Sequence, residues 1–112
     1  MSESALVAEV LGLSRGPVRV YRNNCGRLET KDGRWVQYGL AVGSGDVIGW
    51  QSFMITPEMV GQTFARFVSI ECKSEHGRVR QEQEWWRDAV LRAGGIAGVV
   101  RSKDEAVALL SR

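Results

Sequence analysis

The residues Phe67-Val68-Ser69-Ile70-Glu71-Cys72-Lys73 constrain the fold of this chain more than any other stretch. They are rich in β-branched and aromatic residues and lie between Gly61-Gln62-Thr63 and Glu75-His76-Gly77, so they read as a β-strand. Side chains alternate along a strand, which puts Val68, Ile70 and Cys72 on one wholly apolar face and Phe67, Ser69, Glu71 and Lys73 on the other. An acid-x-Lys pair on a strand has two readings. One is a half-solvated sheet with a same-face ion pair, which is common. The other is a metal-binding carboxylate with a catalytic lysine two residues on.

The rest of the composition bounds the choice. At 112 residues, with 44% hydrophobic and 25% charged residues, the chain reads as one globular domain spanning 1–112, large enough for a single core. No apolar run approaches the ~20 residues that span a bilayer, so no membrane partner is expected. Met1-Ser2-Glu3-Ser4 has neither the basic start nor the apolar core of a signal peptide, and a cytoplasmic setting with free thiols is the expectation. Cys25 and Cys72 are too few for a disulfide framework or a zinc site, and His76 is the only histidine, which disfavours a histidine-based triad. Net charge is only +2, but Arg15, Arg19, Arg22, Arg27, Lys31 and Arg34 face only Glu29 and Asp32 within 15–34, and Lys73, Arg78 and Arg80 form a second cluster. Such patches suit a phosphate backbone or a solubilising surface.

In chain order, residues 2–14 read as a helix capped by Ser2, with Leu6, Val7, Val10 and Leu13 at helical spacing and Gly16-Pro17 beyond. Glu3 falls on the middle of that stripe and Glu9 at its edge, so Glu3 is either a dipole-favoured helix start or an acid aimed into a site. Val18-Arg19-Val20-Tyr21 is a short strand that runs into Arg22-Asn23-Asn24, which is either a turn or a set of phosphate donors. Residues 28–32 read as polar and mobile, and residues 33–40 as a hairpin arm. A glycine-rich turn then delivers Asp46 to the mouth of an apolar strand, and Thr56-Pro57 starts a single helical turn. Residues 79–93 read as a helix ended by Gly94-Gly95, with Trp86, Ala89, Val90 and Ala93 inward and Gln83 on the same side. Gln83 is either a partly buried amide or a group that reaches the Glu71 face. Residues 96–100 form an apolar strand, and Ser102-Lys103-Asp104-Glu105 opens a last helix. The order predicts an α/β fold with a small mixed central sheet flanked by helices.

Several motifs, in order, resemble one family. They are Arg22-Asn23-Asn24, Gly43-Ser44-Gly45-Asp46-Val47-Ile48-Gly49-Trp50, Ile55-Thr56-Pro57-Glu58-Met59-Val60-Gly61, Glu71-Cys72-Lys73, Gly77-Arg78-Val79, and Gln83 ahead of Ala93-Gly94-Gly95. With an N-terminal helix acid they resemble the virus-type replication-repair nuclease (VRR-NUC) branch of the PD-(D/E)XK superfamily, over essentially the whole chain. The resemblance implies a restriction-endonuclease-like core and a metal-dependent DNA endonuclease that leaves 5′-phosphate and 3′-hydroxyl ends. It further implies Asp46 and Glu71 as carboxylates for Mg²⁺ or Mn²⁺, with the Cys72 carbonyl as another ligand. Lys73 would orient the attacking water or stabilise developing charge, Gln83 (with Gln81 the lesser candidate) would complete the site, and Glu3 would be the helix acid. Arg22, Asn23, Asn24 and Arg78 are the candidate DNA contacts. Gly45 departs from the family, in which Pro is frequent before the acid, and Arg80-Gln81 replaces the usual Ser-Pro helix start.

Hard oxygen ligands and a lysine fit phosphodiester hydrolysis, which needs charge neutralisation at the phosphate and an activated water. The expected substrate is branched DNA such as four-way (Holliday) junctions. A DNA-binding module on the same fold that does not cleave is the alternative. Two symmetric cuts suggest a homodimer, with Trp35, Trp50 and whichever of Trp85 and Trp86 faces outward as contact candidates or as core.

Overall fold

The structure, a computed structural model, describes residues 2–111. Among these it is a small mixed α/β arrangement of three α-helices, one 3₁₀ turn and six strands paired in three two-stranded ladders. Pairing is therefore local, not one continuous central sheet, and residues 52–67 hold the 3₁₀ turn Pro57–Met59 and no strand. Contacts group the chain into two compact units, one ending at Gln51 and the other beginning at Ser52.

The first unit opens with α1 (Glu3–Leu11), whose N-cap Ser2 accepts the Ala5 N–H at 3.1 Å. The α-helix is shorter than the periodicity predicts. Gly12 caps it, and tighter bonds from Leu13 N to Val10 O (3.0 Å) and Ser14 N to Leu11 O (3.2 Å) carry the chain on to Ser14. Val7, Val10 and Leu11 are its half-buried side, whereas Leu6 and Leu13, predicted on the inward stripe, are 52% and 60% exposed. A nine-residue helix that packs on two strands covers a narrower face than the sequence stripe.

Strand β1 (Val18–Arg22) pairs antiparallel with β4 (Val47–Gln51), and the Asn23 N–H extends the ladder by bonding the Asp46 carbonyl at 2.8 Å. Gly49 stands opposite Val20, where a Cβ would lie 1.9 Å from the Arg19 carbonyl oxygen, so the strands approach this closely only with glycine there. Between them, β2 (Gly26–Glu29) and β3 (Trp35–Tyr38) form an antiparallel hairpin. Leu28 and Glu29 thus belong to a strand, correcting the expectation of mobile chain at 28–32. The turn that orders them is local: Gly33 N bonds Thr30 O at 3.0 Å, Gly33 takes φ 84°, and Thr30 N bonds Arg34 O at 2.7 Å.

The second unit is a βαβ crossover followed by a helix. Strand β5 (Val68–Cys72) runs parallel to β6 (Ile96–Val100), and α2 (Gln81–Ala93) connects them. Bonds from Ile96 N to Phe67 O (2.8 Å) and Lys73 N to Val100 O (3.0 Å) extend the pairing over 67–73. Gly94, at φ 100°, ends α2. Helix α3 (Lys103–Leu110) is capped by Ser102, whose hydroxyl accepts the Glu105 N–H at 3.1 Å; the Glu105 carboxylate takes the Arg101 N–H at 2.5 Å, one residue before the usual capping-box partner. Val90, Ile96, Ala97, Val100 and Leu109 are buried, and Ile70 and Ala106 pack against this cluster. Coverage of β5 does not follow polarity alone, although Ile70 at the centre of its apolar face packs against the buried cluster. Val68 and Cys72 are exposed, whereas Ser69, Glu71 and Lys73 are half-buried on the α2 side. The reason is that the 13-residue α2 covers more of the sheet than the eight-residue α3.

Two outcomes follow from this packing. Gly49→Ala is expected to destabilise the protein by about 1–3 kcal/mol or more through backbone overlap, whereas Gly45→Ala, with its nearest neighbour at 3.5 Å, should stay close to wild type in a denaturant melt. The Thr30 hydroxyl bond holds the Asp32 carboxyl below its ordinary value. A depressed carboxyl contributes stability above its unfolded value of about 3.9 and loses it as pH falls through the folded value. Thr30→Ala should therefore raise the Asp32 midpoint in an NMR pH titration.

Candidate active site

The strand pattern aims Ser69, Glu71 and Lys73 at α2, and the helix stripe returns Gln83 and Trp86 toward them. Lys73 Nζ lies 3.4 Å from Glu71 Oε1, and Gln83 Nε2 donates to the same oxygen at 2.6 Å. The Gln83 Oε1 in turn accepts the Arg80 N–H at 2.9 Å, which satisfies one of the unpaired donors at the helix start. Nearby, Trp86 Nε1 donates to Ser69 Oγ at 2.8 Å. The Lys73 side chain is only 17% exposed and that of Glu71 40% exposed, so the lysine is anchored along its stem while the carboxylate meets solvent. Among the described residues no side chain pairs with Glu71 Oε2, which leaves that oxygen as the carboxylate's available ligand atom. Glu71 and Gln83, but not Lys73, border a cavity of about 150 Å³ whose lining also includes Ser69, Trp86, Ala97 and Val99 and the charged Glu82 and Arg87. Gln81, the lesser candidate, is exposed and bonds Glu84 at 3.5 Å instead.

Cys72 lies between Glu71 and Lys73 in β5, paired in register with Val100, and its free thiol is exposed. Arg78 is exposed beyond the Ser74–Gly77 turn, in which Gly77 N bonds Ser74 O at 3.1 Å. Arg101 Nη1 ties that turn down by donating to the carbonyls of Ser74 (2.5 Å) and Glu75 (3.3 Å).

In the first unit, Glu3, Ser4, Val7, Arg22, Asn24 and Asp46 line a polar cleft of about 190 Å³. Glu3 and Val7 are one turn apart and share a helix face, which is how Glu3, and not Glu9, comes to line it. Arg22 and Asn24 reach the cleft because they alternate with Asn23. Asn23 turns the other way. Its Nδ2 donates to Ser44 Oγ and to the Gly45 carbonyl, both at 2.9 Å, and its Oδ1 accepts the Leu40 N–H at 3.1 Å. The side chain predicted to touch DNA thus staples the 40–45 loop that carries Asp46. Ser44 also bonds Cys25 Sγ at 3.2 Å, which holds that thiol below its usual value.

Of the predicted residues, Glu71, Lys73 and Gln83 meet in one unit and Glu3, Arg22, Asn24 and Asp46 in the other. Sequence reasoning missed Ser44, Ser69, Trp86 and Arg101. Ser69 and Trp86 were within reach of it, since Ser69 is two strand positions before Glu71 and Trp86 one turn after Gln83; Ser44 and Arg101 give no local signal. Comparison with family models, with curated proteins and with solved structures gave no match.

Each unit offers one hard oxygen donor of the kind Mg²⁺ or Mn²⁺ takes: in the first Asp46 is an exposed carboxylate, and in the second Glu71 offers Oε2 while Lys73 and Gln83 occupy Oε1. Among the described residues there is no group of three or more His, Cys, Asp or Glu side chains arranged to hold a metal.

The staple makes a prediction. Asn23→Ala removes the three hydrogen bonds that a half-buried side chain makes to an exposed loop and should cost about 1 kcal/mol or more in chemical denaturation, whereas the exposed Asn24→Ala should change stability by less than about 0.5 kcal/mol.

Proposed function

We propose that this chain is a metal-dependent DNA endonuclease with the restriction-endonuclease-like core of the VRR-NUC family, acting on branched DNA such as four-way junctions. The observation that carries this reading is the convergence of Lys73 Nζ (3.4 Å) and Gln83 Nε2 (2.6 Å) on one oxygen of Glu71, because all three are residues to which the motif pattern gives a catalytic role. A surface ion pair would have no need of an anchored lysine or of a helix amide on the same carboxylate.

In this reading Glu71 Oε2 and the Cys72 carbonyl in the second unit, and Asp46 in the first, are the candidate ligands for Mg²⁺ or Mn²⁺, which when bound would supply Lewis-acid stabilisation of charge on the phosphate. Gln83 holds Glu71 through Oε1 and leaves Oε2 without a side-chain partner among the described residues. Lys73 Nζ, oriented by Glu71, would stabilise the negative charge that builds on the phosphate oxygens as water attacks. Arg22, Asn24 and Arg78 offer exposed donors for the DNA backbone. Cutting a four-way junction symmetrically requires two sites, most simply a two-fold homodimer. Trp85, 64% exposed on α2, is the outward member of the Trp85-Trp86 pair and is available to such an interface.

The deciding assay offers labelled duplex, flap and four-way-junction DNA with Mg²⁺, with Mn²⁺ or with EDTA. Metal-dependent cutting, strongest on the junction, is expected. Asp46→Asn, Glu71→Gln and Lys73→Ala should each lower it by at least about 10²-fold, with Glu9→Gln as an active control. Wild-type rates in any of the three would remove that residue from the mechanism; binding without cleavage by the wild type would favour the non-cleaving module.

A further inference from the structure

We infer that the β2–β3 arm is a ribbon that grips duplex DNA, through the face carrying Arg27 and Trp35 and through the cations of its turn. The inference rests on the nuclease reading and names the element that would hold that site's substrate. The hairpin register sorts the side chains: Arg27 opposite Gln37 and Glu29 opposite Trp35 on one face, Leu28 opposite Val36 on the other. Trp35 is 62% exposed, and the Arg27 guanidinium lies 5.5 Å from its ring centroid. An exposed aromatic ring with a guanidinium over it matches what the duplex backbone presents, an apolar deoxyribose flanked by phosphate.

The turn adds Lys31 and Arg34, both exposed. Arg34 pairs with Asp32 at 3.0 Å, but the two side chains are 80% and 58% exposed, so the pair is screened and can be traded for a phosphate at little cost. Dimensions agree as well. Two strands about 4.8 Å apart, with four residues running roughly 13 Å, fit a major groove about 12 Å wide. A second copy of this chain is the competing occupant, and charge decides between them. Arg27, Lys31 and Arg34 stand against Glu29 and Asp32, a net charge of +1 (three cations less two acids), and with Arg34 and Asp32 paired to each other Arg27 and Lys31 remain against Glu29. Glu29 shares the Arg27 and Trp35 face and opposes phosphate there, which gives the test a second sign.

The test measures binding of labelled duplex and four-way-junction DNA by anisotropy in EDTA, between about 50 and 200 mM salt, with sedimentation velocity in parallel. Arg27→Gln combined with Lys31→Gln should weaken binding about tenfold or more near 0.1 M salt and lower the salt slope by about two. Glu29→Gln should strengthen binding, and because it is an exposed isosteric change it decides the matter even if the double variant or Trp35→Ala folds poorly. Wild-type affinity and slope in the double variant, with no gain from Glu29→Gln, overturn the inference. Unchanged DNA affinity with loss of a dimer overturns it too and assigns the arm to a second copy. A wild type that binds and cuts DNA while the arm variants bind equally well defeats this inference alone; a wild type that binds no DNA defeats the nuclease reading with it.

Discussion

One carboxylate oxygen, Oε1 of Glu71, joins strand β5 to helix α2 and both to Lys73. The junction works because Gln83 has two ends. Arg80, at the N-cap position of α2, makes no side-chain cap bond, so the first turn begins with donors unsatisfied. Gln83 reaches back to take one of them with its oxygen and spends its amide N–H on Glu71. The same amide therefore starts the helix and sets the carboxylate's angle. Lys73, with most of its side chain covered, would lose hydration without compensation if Glu71 were absent. Each of the three groups makes the burial or ordering of the others affordable.

Much of this arrangement is legible once two periods are combined. Ser69, Glu71 and Lys73 share a strand face at period two, and Gln83, Trp86, Val90 and Ala93 share a helix stripe at period 3.6. A crossover helix runs back against its strand, so the later helix residue meets the earlier strand residue: Trp86 bonds Ser69, and Gln83 bonds Glu71. What the pattern does not contain is which face of β5 is covered. Val68-x-Ile70-x-Cys72 is the apolar face by any scale, yet Val68 and Cys72 stay exposed. Coverage depends on the relative reach of α2 and α3, and helix lengths are set by caps at Ser102 and Gly94 that say nothing about which strand side chains they will shade.

In the first unit the legible part is local and the hidden part is long-range. Ser2 as a cap and the Val47–Gln51 strand follow from neighbouring residues. Residues 28–32 are ordered in spite of their polarity, because Thr30, Asp32 and Gly33 are the residues a tight hairpin turn requires. Leu6 and Leu13 show the converse: correct spacing, but too little sheet beneath a short helix to bury them. Gly49 is informative only beside its partner strand, since its reason is the Arg19 carbonyl across the ladder.

The turn before Asp46 shows why an amide is not equivalent to a proline. A proline at position 45, which the family resemblance leads one to expect, would restrict the chain before folding as well as after it. Gly45 leaves the unfolded chain at its most permissive, and the entropy of ordering that turn must be met in the folded state. Asn23 meets it with bonds to Ser44, Gly45 and Leu40, while its own N–H holds the Asp46 carbonyl. Those bonds exist only when Asn23 is carried past the end of β1, and β1 is placed only by its ladder with β4. Asp46 is therefore stiff as a consequence of strand pairing and not in advance of it. Whatever loosens the β1–β4 ladder, at Gly49 for example, must also loosen the acid at its mouth.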